Sequence, residues 1–209
     1  MNFLAHLYLG PSEPKALLGS LLGDFVKGRI RDLELPESVR QGIWVHRQID
    51  VFTDAHPLFR RSRARIDPQR RRFAGIMVDM FYDHLLARYW SDFSDEPLEA
   101  FTARTYALLL EQRDLIPPAA WPIISRMAEH DWLGSYADLA SLHLALDNMG
   151  RRLKRQNALA GGVAELEANY AGFEADFREF LPQARHFALA QAALAIAGVG
   201  AESDSMPSA

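Results

Sequence analysis

The chain has 209 residues, of which 49% are hydrophobic, and its formal net charge is −4. This length and composition predict one domain with a full hydrophobic core. The chain contains no cysteine, which excludes disulfide frameworks, thiolate metal sites and cysteine nucleophiles and suits a cytoplasmic location. The apolar N-terminal segment lacks the basic region of a signal peptide, and no stretch is long enough to predict a membrane span.

Helical periodicity dominates the sequence, whereas the alternation typical of strands is nearly missing. Prolines near the predicted first turns, among them Pro36, Pro68 and Pro182, set several of the predicted starts. We predict one all-α domain over residues 1–198, followed by a disordered tail over residues 199–209. The predicted helices are, in chain order, about 14–25, 36–54, a short turn after His56, 68–90, 97–113, 119–129, 136–155, 162–180, and a last helix that starts at Pro182.

The helix predicted around residues 36–54 carries three ionisable groups four residues apart: His46, Asp50 and Asp54. Residues at this spacing lie on one face of a helix. Because an unpaired buried carboxylate is costly, a divalent cation is one way to satisfy such groups together. A hydrogen-bonded pair of His46 and Asp50 without a metal explains the same spacing, so this helix alone leaves both interpretations open.

Asp79, Asp83 and His84 interrupt an apolar run in the helix predicted over residues 68–90. Solvated helix faces usually carry Lys, Glu and Gln, and none of these occurs in this run. We therefore predict a functional role for at least one of Asp83 and His84. Imidazole together with carboxylate suits Mn²⁺, Fe²⁺ or Zn²⁺, while carboxylates alone suit Mg²⁺ or Mn²⁺.

Three further positions are candidates on weaker grounds. Asp24 lies near the predicted end of the first helix, where the helix dipole disfavours an acid, so metal coordination or loop capping would explain it. His6 is the one ionisable side chain of an apolar segment, where a satisfied core histidine is the more common explanation. His130 and Asp131 form a doublet of the kind found in some metal phosphohydrolases, although their neighbours are typical of a helix end.

Seven arginines and one acid, Asp67, lie between residues 60 and 72. Guanidinium groups pair bidentately with carboxylates and phosphates, so we expect this arginine cluster to bind an anionic partner. A merely solvated basic face is the plain alternative. Because no recognised nucleic-acid motif is present, nucleic acid is not the expected partner. The members of the arginine cluster are Arg60, Arg61, Arg63, Arg65, Arg70, Arg71 and Arg72.

Four separated segments resemble the acyl carrier protein phosphodiesterases, also called holo-acyl-carrier-protein hydrolases: residues 1–7, 23–28, 46–54 and 83–90. The resemblance covers roughly residues 1–180. It implies an all-helical domain related to the HD phosphohydrolases and a divalent cation, Mn²⁺ or Mg²⁺. It also implies hydrolysis of the phosphodiester between 4'-phosphopantetheine and a serine of acyl carrier protein, giving the apo protein and free 4'-phosphopantetheine. Since Asp83-His84 reverses the His-Asp doublet of HD proteins, the helix order would be rearranged.

The resemblance also suggests roles for the candidate residues. The metal or its water would be held by Asp24, His46, Asp50, Asp83 and His84, with His6 nearby. Asp54 and Asp79 would orient these ligands, and Lys27 and Arg47 would hold the phosphate. The arginine cluster would dock the acidic carrier protein. Two alternatives stay open, namely a metal phosphohydrolase that acts on nucleotides, and a non-catalytic helical protein that binds an acidic partner.

Overall fold

The computed structural model describes residues 1–152 and 158–198, without the side chain of Arg152. Over these residues the backbone forms helices joined by turns, and no β-strand occurs among them, so the predicted all-α class is confirmed as a single domain. The predicted tail over residues 199–209 lies outside the described residues. The α-helices are α1 (Phe3–Leu9), α2 (Pro14–Leu22), α3 (Glu37–Ala55), α4 (Pro57–Arg65), α5 (Ala74–Arg88), α6 (Leu98–Glu111), α7 (Trp121–Glu129), α8 (Trp132–Ser135), α9 (Leu139–Arg152), α10 (Val163–Ala168) and α11 (Tyr170–Ile196).

Helix α1 has no counterpart among the predicted helices. Its N-cap residue, Asn2, makes no side-chain capping hydrogen bond. The acceptors come instead from Asp83 on α5, whose carboxylate accepts hydrogen bonds from the backbone N–H groups of Leu4 and Ala5. A cap supplied from another helix leaves no local signal, and the sequence alone therefore did not reveal α1.

Prolines mark helix starts less reliably than we expected. Pro182 lies inside α11 and does not begin a new helix. The helix continues because Phe180 and Leu181 before this position and Ala184 after it are buried, and their packing outweighs the missing backbone hydrogen bond. Pro36 precedes α3 as its N-cap residue instead of occupying the first turn.

The helix predicted over residues 68–90 is divided in the structure. It begins with a 3-10 segment, Pro68–Phe73, and continues as α5. Asp67 caps its start, and its carboxylate accepts a hydrogen bond from Gln69 N at 2.8 Å. This division leaves α5 as the buried helix that carries Asp79, Asp83 and His84.

Helices α2 and α3 approach each other closely at two glycines. A Cβ on Gly19 would overlap the backbone of Val39, and a Cβ on Gly42 would overlap the carbonyl of Ala16. Only glycine therefore permits this crossing. The crossing brings the end of α2, and the loop after it, alongside the face of α3 that carries His46.

No helix in residues 1–152 or 158–198 combines the length and the apolar composition that spanning a membrane requires.

Candidate metal centre

Helices α1 and α3 bring two histidines and one aspartate together. His6 Nε2 lies 3.0 Å from Asp50 Oδ1, and His46 Nε2 lies 3.2 Å from Asp50 Oδ2. One potential ligand atom from each residue lies within 4.8 Å of the others. Both imidazoles are buried, whereas the Asp50 side chain is 40% exposed, so the group has one side toward solvent. We name these three residues the His-His-Asp group.

The two imidazoles of this group are held in fixed orientations. Their rings stack with centroids 3.6 Å apart and an interplanar angle of 17°. His46 Nδ1 donates a hydrogen bond to the carbonyl oxygen of Ser20 at 2.8 Å, which leaves Nε2 directed at Asp50. Gly23 permits this packing, because a Cβ there would overlap the His46 ring. A backbone contact of this kind is how proteins orient metal-binding histidines.

Asp24 lies at the solvent-facing side of the group. It follows Gly23 in the loop after α2, beyond the helix end at which we had expected it. Its Oδ1 is 3.6 Å from His46 Nε2, and its side chain is 41% exposed. Asp24 therefore borders the His-His-Asp group from a loop that solvent can reach.

Of the two predicted phosphate ligands, Arg47 lies on α3 and Lys27 lies on this loop. Arg47 donates hydrogen bonds to the carbonyl oxygens of Gly28, at 2.9 Å, and Val26, at 3.4 Å. Its guanidinium thus fixes the loop that carries Asp24. Lys27 lies on the exposed part of the same loop.

The carboxylates determine the protonation of the two histidines. Burial opposes a charge on His46, but hydrogen bonds with Asp24 and Asp50 outweigh it and raise the pKa of His46 to about 9. Burial and the nearby His46 lower the pKa of His6 to about 4. Hydrogen bonds from the two histidines hold the pKa of the Asp50 carboxyl well below its usual range despite partial burial. The group therefore carries an ionised aspartate, one cationic imidazole and one neutral imidazole.

Asp79 lies next to the group without joining it. The amino group of Met1 is 3.2 Å from Asp50 Oδ1 and 3.1 Å from Asp79 Oδ1, so it links the two carboxylates. Burial raises the pKa of Asp79. Asp54, the other residue that we predicted to orient the ligands, has a side chain that is 73% exposed and lies 3.9 Å from Arg63. Its contacts are thus with the arginine cluster.

Asp83 and His84 do not join the His-His-Asp group. Asp83 is fully buried, and both of its oxygens accept backbone hydrogen bonds at the start of α1, from Leu4 at 2.8 Å and Ala5 at 3.1 Å. Burial raises its pKa to about 7, although these hydrogen bonds oppose the shift. Asp83 thus acts on the group indirectly, by holding the helix that carries His6.

His84 points away from Asp83 on α5, because adjacent residues of a helix lie on different faces. Its Nδ1 donates to the carbonyl oxygen of Tyr136 at 2.7 Å, and its Nε2 accepts from the Tyr170 hydroxyl at 3.0 Å. It lines a separate open cavity of about 540 Å³ together with Arg88 and Asp138. Burial lowers the pKa of His84.

The doublet His130-Asp131 marks a helix boundary. Asp131 has a φ of 41°, and its carboxylate accepts a hydrogen bond from Gly134 N at the start of α8. His130 is exposed and ends α7. This doublet is therefore explained by capping, as its neighbours in the sequence indicated.

The arginine cluster is largely engaged with acids of the same chain. Arg61 and Arg65 bind the buried carboxylate of Asp176 on α11, with Nε–O distances of 2.6 Å and 3.0 Å. Arg70 pairs with Glu165 at 3.2 Å. Arg60 donates to the backbone carbonyl of Asp54. With Arg63 at 3.9 Å from Asp54, four of the seven arginines thus pair with acids of the same chain, while the side chains of Arg60, Arg71 and Arg72 remain exposed.

Sequence reasoning missed the residues that support the group from outside it. Ser20 contributes a backbone carbonyl, and Gly23 contributes space, so neither has a side chain whose chemistry indicates a function. His6 and Asp50 are 44 residues apart, so no local spacing in the sequence indicates that they meet. The one available signal was Gly23 immediately before Asp24 in a segment that resembles a known family.

Two imidazoles and a carboxylate in a half-open position form a donor set that suits a divalent cation. The fold and site thus define an all-helical protein with a candidate metal centre at the meeting of α1, α3 and the loop after α2. The acyl carrier protein phosphodiesterase family matches residues 1–184. The chain belongs to this family and is an enzyme that hydrolyses phosphodiesters, which decides against the non-catalytic alternative.

Relatives with the same printed name cover most of the chain. "Acyl carrier protein phosphodiesterase" of Serratia proteamaculans (strain 568) is 38% identical over 184 residues, which is 88% of this chain and 95% of the relative. The proteins of that name from Salmonella dublin and Salmonella agona (strain SL483) are 37% and 36% identical over the same shares. No solved structure gives a significant match to the chain.

Proposed function

We propose that this enzyme hydrolyses the phosphodiester between 4'-phosphopantetheine and a serine of acyl carrier protein, releasing the apo protein and free 4'-phosphopantetheine. The observation that carries the proposal is the family match over residues 1–184, which includes every residue of the His-His-Asp group. The names of the relatives support the substrate. A relation to the HD phosphohydrolases with a rearranged helix order stays a prediction.

We propose that His6, His46 and Asp50 hold a divalent cation, with Asp24 beside it. Two features of the group fit this role. His6 Nδ1 is buried and has no hydrogen-bond partner among the described residues, which is the kind of orphaned atom that a bound ion or water explains. His46 carries a proton between two carboxylates, and such a proton is lost when a metal binds. Two imidazole ligands favour Mn²⁺ over Mg²⁺, since Mg²⁺ prefers oxygen.

Hydrolysis of a phosphodiester requires neutralisation of its negative charge and a nucleophile that is effective at neutral pH. A bound divalent cation supplies Lewis acidity and lowers the pKa of its water. The exposed carboxylate of Asp24 would accept a hydrogen bond from the attacking water. Lys27 would pair with the phosphate, and Arg47 would keep the loop in place through Gly28 and Val26.

Mass spectrometry of holo acyl carrier protein tests this function directly. The carrier protein is incubated with the enzyme in Mn²⁺ and, separately, in EDTA. We expect the mass of the phosphopantetheine group to be lost in Mn²⁺ and retained in EDTA. An unchanged carrier mass with folded, Mn²⁺-loaded enzyme would contradict the proposal and favour a phosphohydrolase that acts on nucleotides.

Asp24→Asn tests the site in the same assay. Because the Asp24 side chain is 41% exposed, its replacement should leave the fold intact. We expect the rate to fall on the order of 100-fold, as for other groups that hold a metal or its water. Asp32→Asn is the matched control, since Asp32 is an exposed acid in the next turn of the chain. Equal rates for both variants would remove Asp24 from the site.

A further inference from the structure

A groove of about 500 Å³ lies beside the candidate metal centre. It is bounded by α1, the loop after α2, and helices α5, α7, α8 and α9. Most of its exposed lining is apolar, and we name it the lateral groove. Its apolar lining includes Phe3, Phe25, Met80, Trp132, Leu144 and Met149.

The lateral groove is continuous with the metal centre along the chain. Phe25 of the lining directly follows Asp24. Asn2 of the lining directly follows Met1, whose amino group lies 3.2 Å from Asp50 Oδ1. Phe3 stacks parallel to Phe25, with ring centroids 6.1 Å apart, and thereby joins α1 to the loop. A phosphodiester at the metal centre would therefore have one end of the groove next to it.

The composition of the lateral groove suits a mainly apolar occupant. Among the described residues that line it, none is acidic, and Arg126 and His130 are exposed. Leu144 leaves 58% of its surface to solvent within the groove, although it is a large apolar residue. The lining also includes polar groups, among them Asn2, whose Nδ2 donates a hydrogen bond to the Tyr136 hydroxyl at 3.2 Å.

We infer that the lateral groove binds the pantetheine arm of the carrier-protein substrate. The inference rests on the proposed function, which places the phosphate of this arm at the metal centre. The arm is an uncharged chain with a geminal dimethyl group, a hydroxyl and two amides, so it needs a groove that offers apolar contact and a few hydrogen bonds. The other end of the phosphodiester, the serine of the carrier protein, then faces solvent at Asp24.

Pantetheine without its phosphate is the probe for this inference, because it cannot be cleaved and does not require the metal centre. Saturation-transfer NMR on the full-length protein would measure its dissociation constant. We expect the wild type to bind pantetheine and Leu144→Glu to weaken this binding at least tenfold. Since Leu144 is exposed, the substitution should not unfold the protein. Leu189→Glu is the matched control, because Leu189 is 62% exposed on α11, outside the lateral groove, and its affinity should stay unchanged.

The steady-state kinetics with holo acyl carrier protein separate this inference from the proposed function. We expect Leu144→Glu to raise KM about tenfold, as expected when ground-state binding is lost. If the wild type cleaves the carrier protein but Leu144→Glu keeps the wild-type KM and pantetheine affinity, the inference fails while the function stands. If the wild type leaves holo carrier protein intact, the proposed function is wrong. The pantetheine titration would still show whether the lateral groove binds pantetheine. A change of oligomeric state in Leu144→Glu with unaltered pantetheine binding would overturn the inference and identify an interface between copies.

Discussion

The stacked imidazoles of His6 and His46 show how position decides the chemistry of one residue type. His46 faces Asp24 and Asp50, which raise its pKa to about 9, while burial and the neighbouring charge lower the pKa of His6 to about 4. The pair therefore carries one positive charge at neutral pH. His6 is neutral and ready to act as a ligand, whereas His46 must exchange its proton for a metal.

At the scale of single residues, the site requires glycine at position 23 because the His46 ring packs against it. Gly23→Ala would place a methyl group against the His46 ring and displace it from Asp50. We expect activity to fall about 10- to 100-fold, which is the usual cost of disturbing the groups that orient a metal ligand. Steady-state rates on holo carrier protein, together with Mn²⁺ titration, would measure both effects.

Gly75→Ala is the control for this glycine. A Cβ at Gly75 meets no atom within 4 Å, and Gly75 lies in the first turn of α5. Alanine there should leave activity unchanged and can stabilise the helix slightly. Wild-type activity in both variants would show that the His46 ring does not need its present position.

At the scale of the elements, α1 depends on a carboxylate from α5. Asp83 binds the first free N–H groups of α1 and holds the helix that carries His6. Since this carboxyl is fully buried, its pKa is raised from 3.8 to about 7. The unfolded chain releases this proton near pH 4 and the folded protein near pH 7, so the contribution of Asp83 to stability falls as the pH rises between these values.

Asp83→Asn tests this pH dependence. An amide cannot titrate, so the variant should lack the loss of stability that the wild type shows between pH 5 and pH 7. With 1.36 kcal/mol per pKa unit, and with the folded carboxyl half ionised at pH 7, the wild type should lose about 2 kcal/mol relative to the variant over this range. Urea unfolding at several pH values gives the comparison. Asp95→Asn, which replaces an exposed acid, should show the same dependence of stability on pH as the wild type. If the stability of Asp83→Asn falls with pH as steeply as that of the wild type, Asp83 is not the group responsible.

Helices α4 and α11 are joined by a second buried carboxylate. Asp176 is fully buried and accepts from Arg61, Arg65 and the hydroxyl of Ser62. Hydrogen bonds from the arginines hold its pKa below the usual range although burial opposes this. Part of the arginine cluster therefore stabilises the fold instead of presenting charge to a partner.

Asp176→Asn should accordingly destabilise the protein. We expect a loss of about 3 kcal/mol in the free energy of unfolding, at the low end for breaking a buried pair because the arginines remain partly exposed. Urea unfolding measures it, and Asp114→Asn serves as a surface control that should change stability by less than about 0.5 kcal/mol. If Asp176→Asn also changes stability by less than about 0.5 kcal/mol, Arg61 and Arg65 do not stabilise the fold and are again candidates for binding a partner.

At the scale of the whole molecule, three arginines of the cluster, Arg60, Arg71 and Arg72, have exposed side chains. Arg60 and Arg63 reach back to Asp54, one helical turn beyond Asp50. We propose that Arg60, Arg71 and Arg72 attract the acidic carrier protein toward the metal centre. Such attraction acts over roughly 10 Å at 0.1 M salt and is screened at higher ionic strength.

The double variant Arg71→Glu, Arg72→Glu tests this surface. We expect KM for holo carrier protein to rise about tenfold at low salt, with a difference that narrows as salt is added. Lys15→Glu with Arg113→Glu changes the net charge equally at exposed positions elsewhere and should raise KM much less. Equal effects of the two double variants would show that net charge, and not this surface, governs binding.

The sequence by itself determined the all-α class, most helices, and the pairing of His46 with Asp50, because a spacing of four residues fixes neighbours within one helix. It also carried the family resemblance, which the comparison confirmed. Only the tertiary structure decided that His6 joins this pair, that Asp83 turns inward to cap α1, and that His84 faces another cavity. These contacts join different helices, and their geometry depends on how the helices pack, which residue spacing within one helix does not specify.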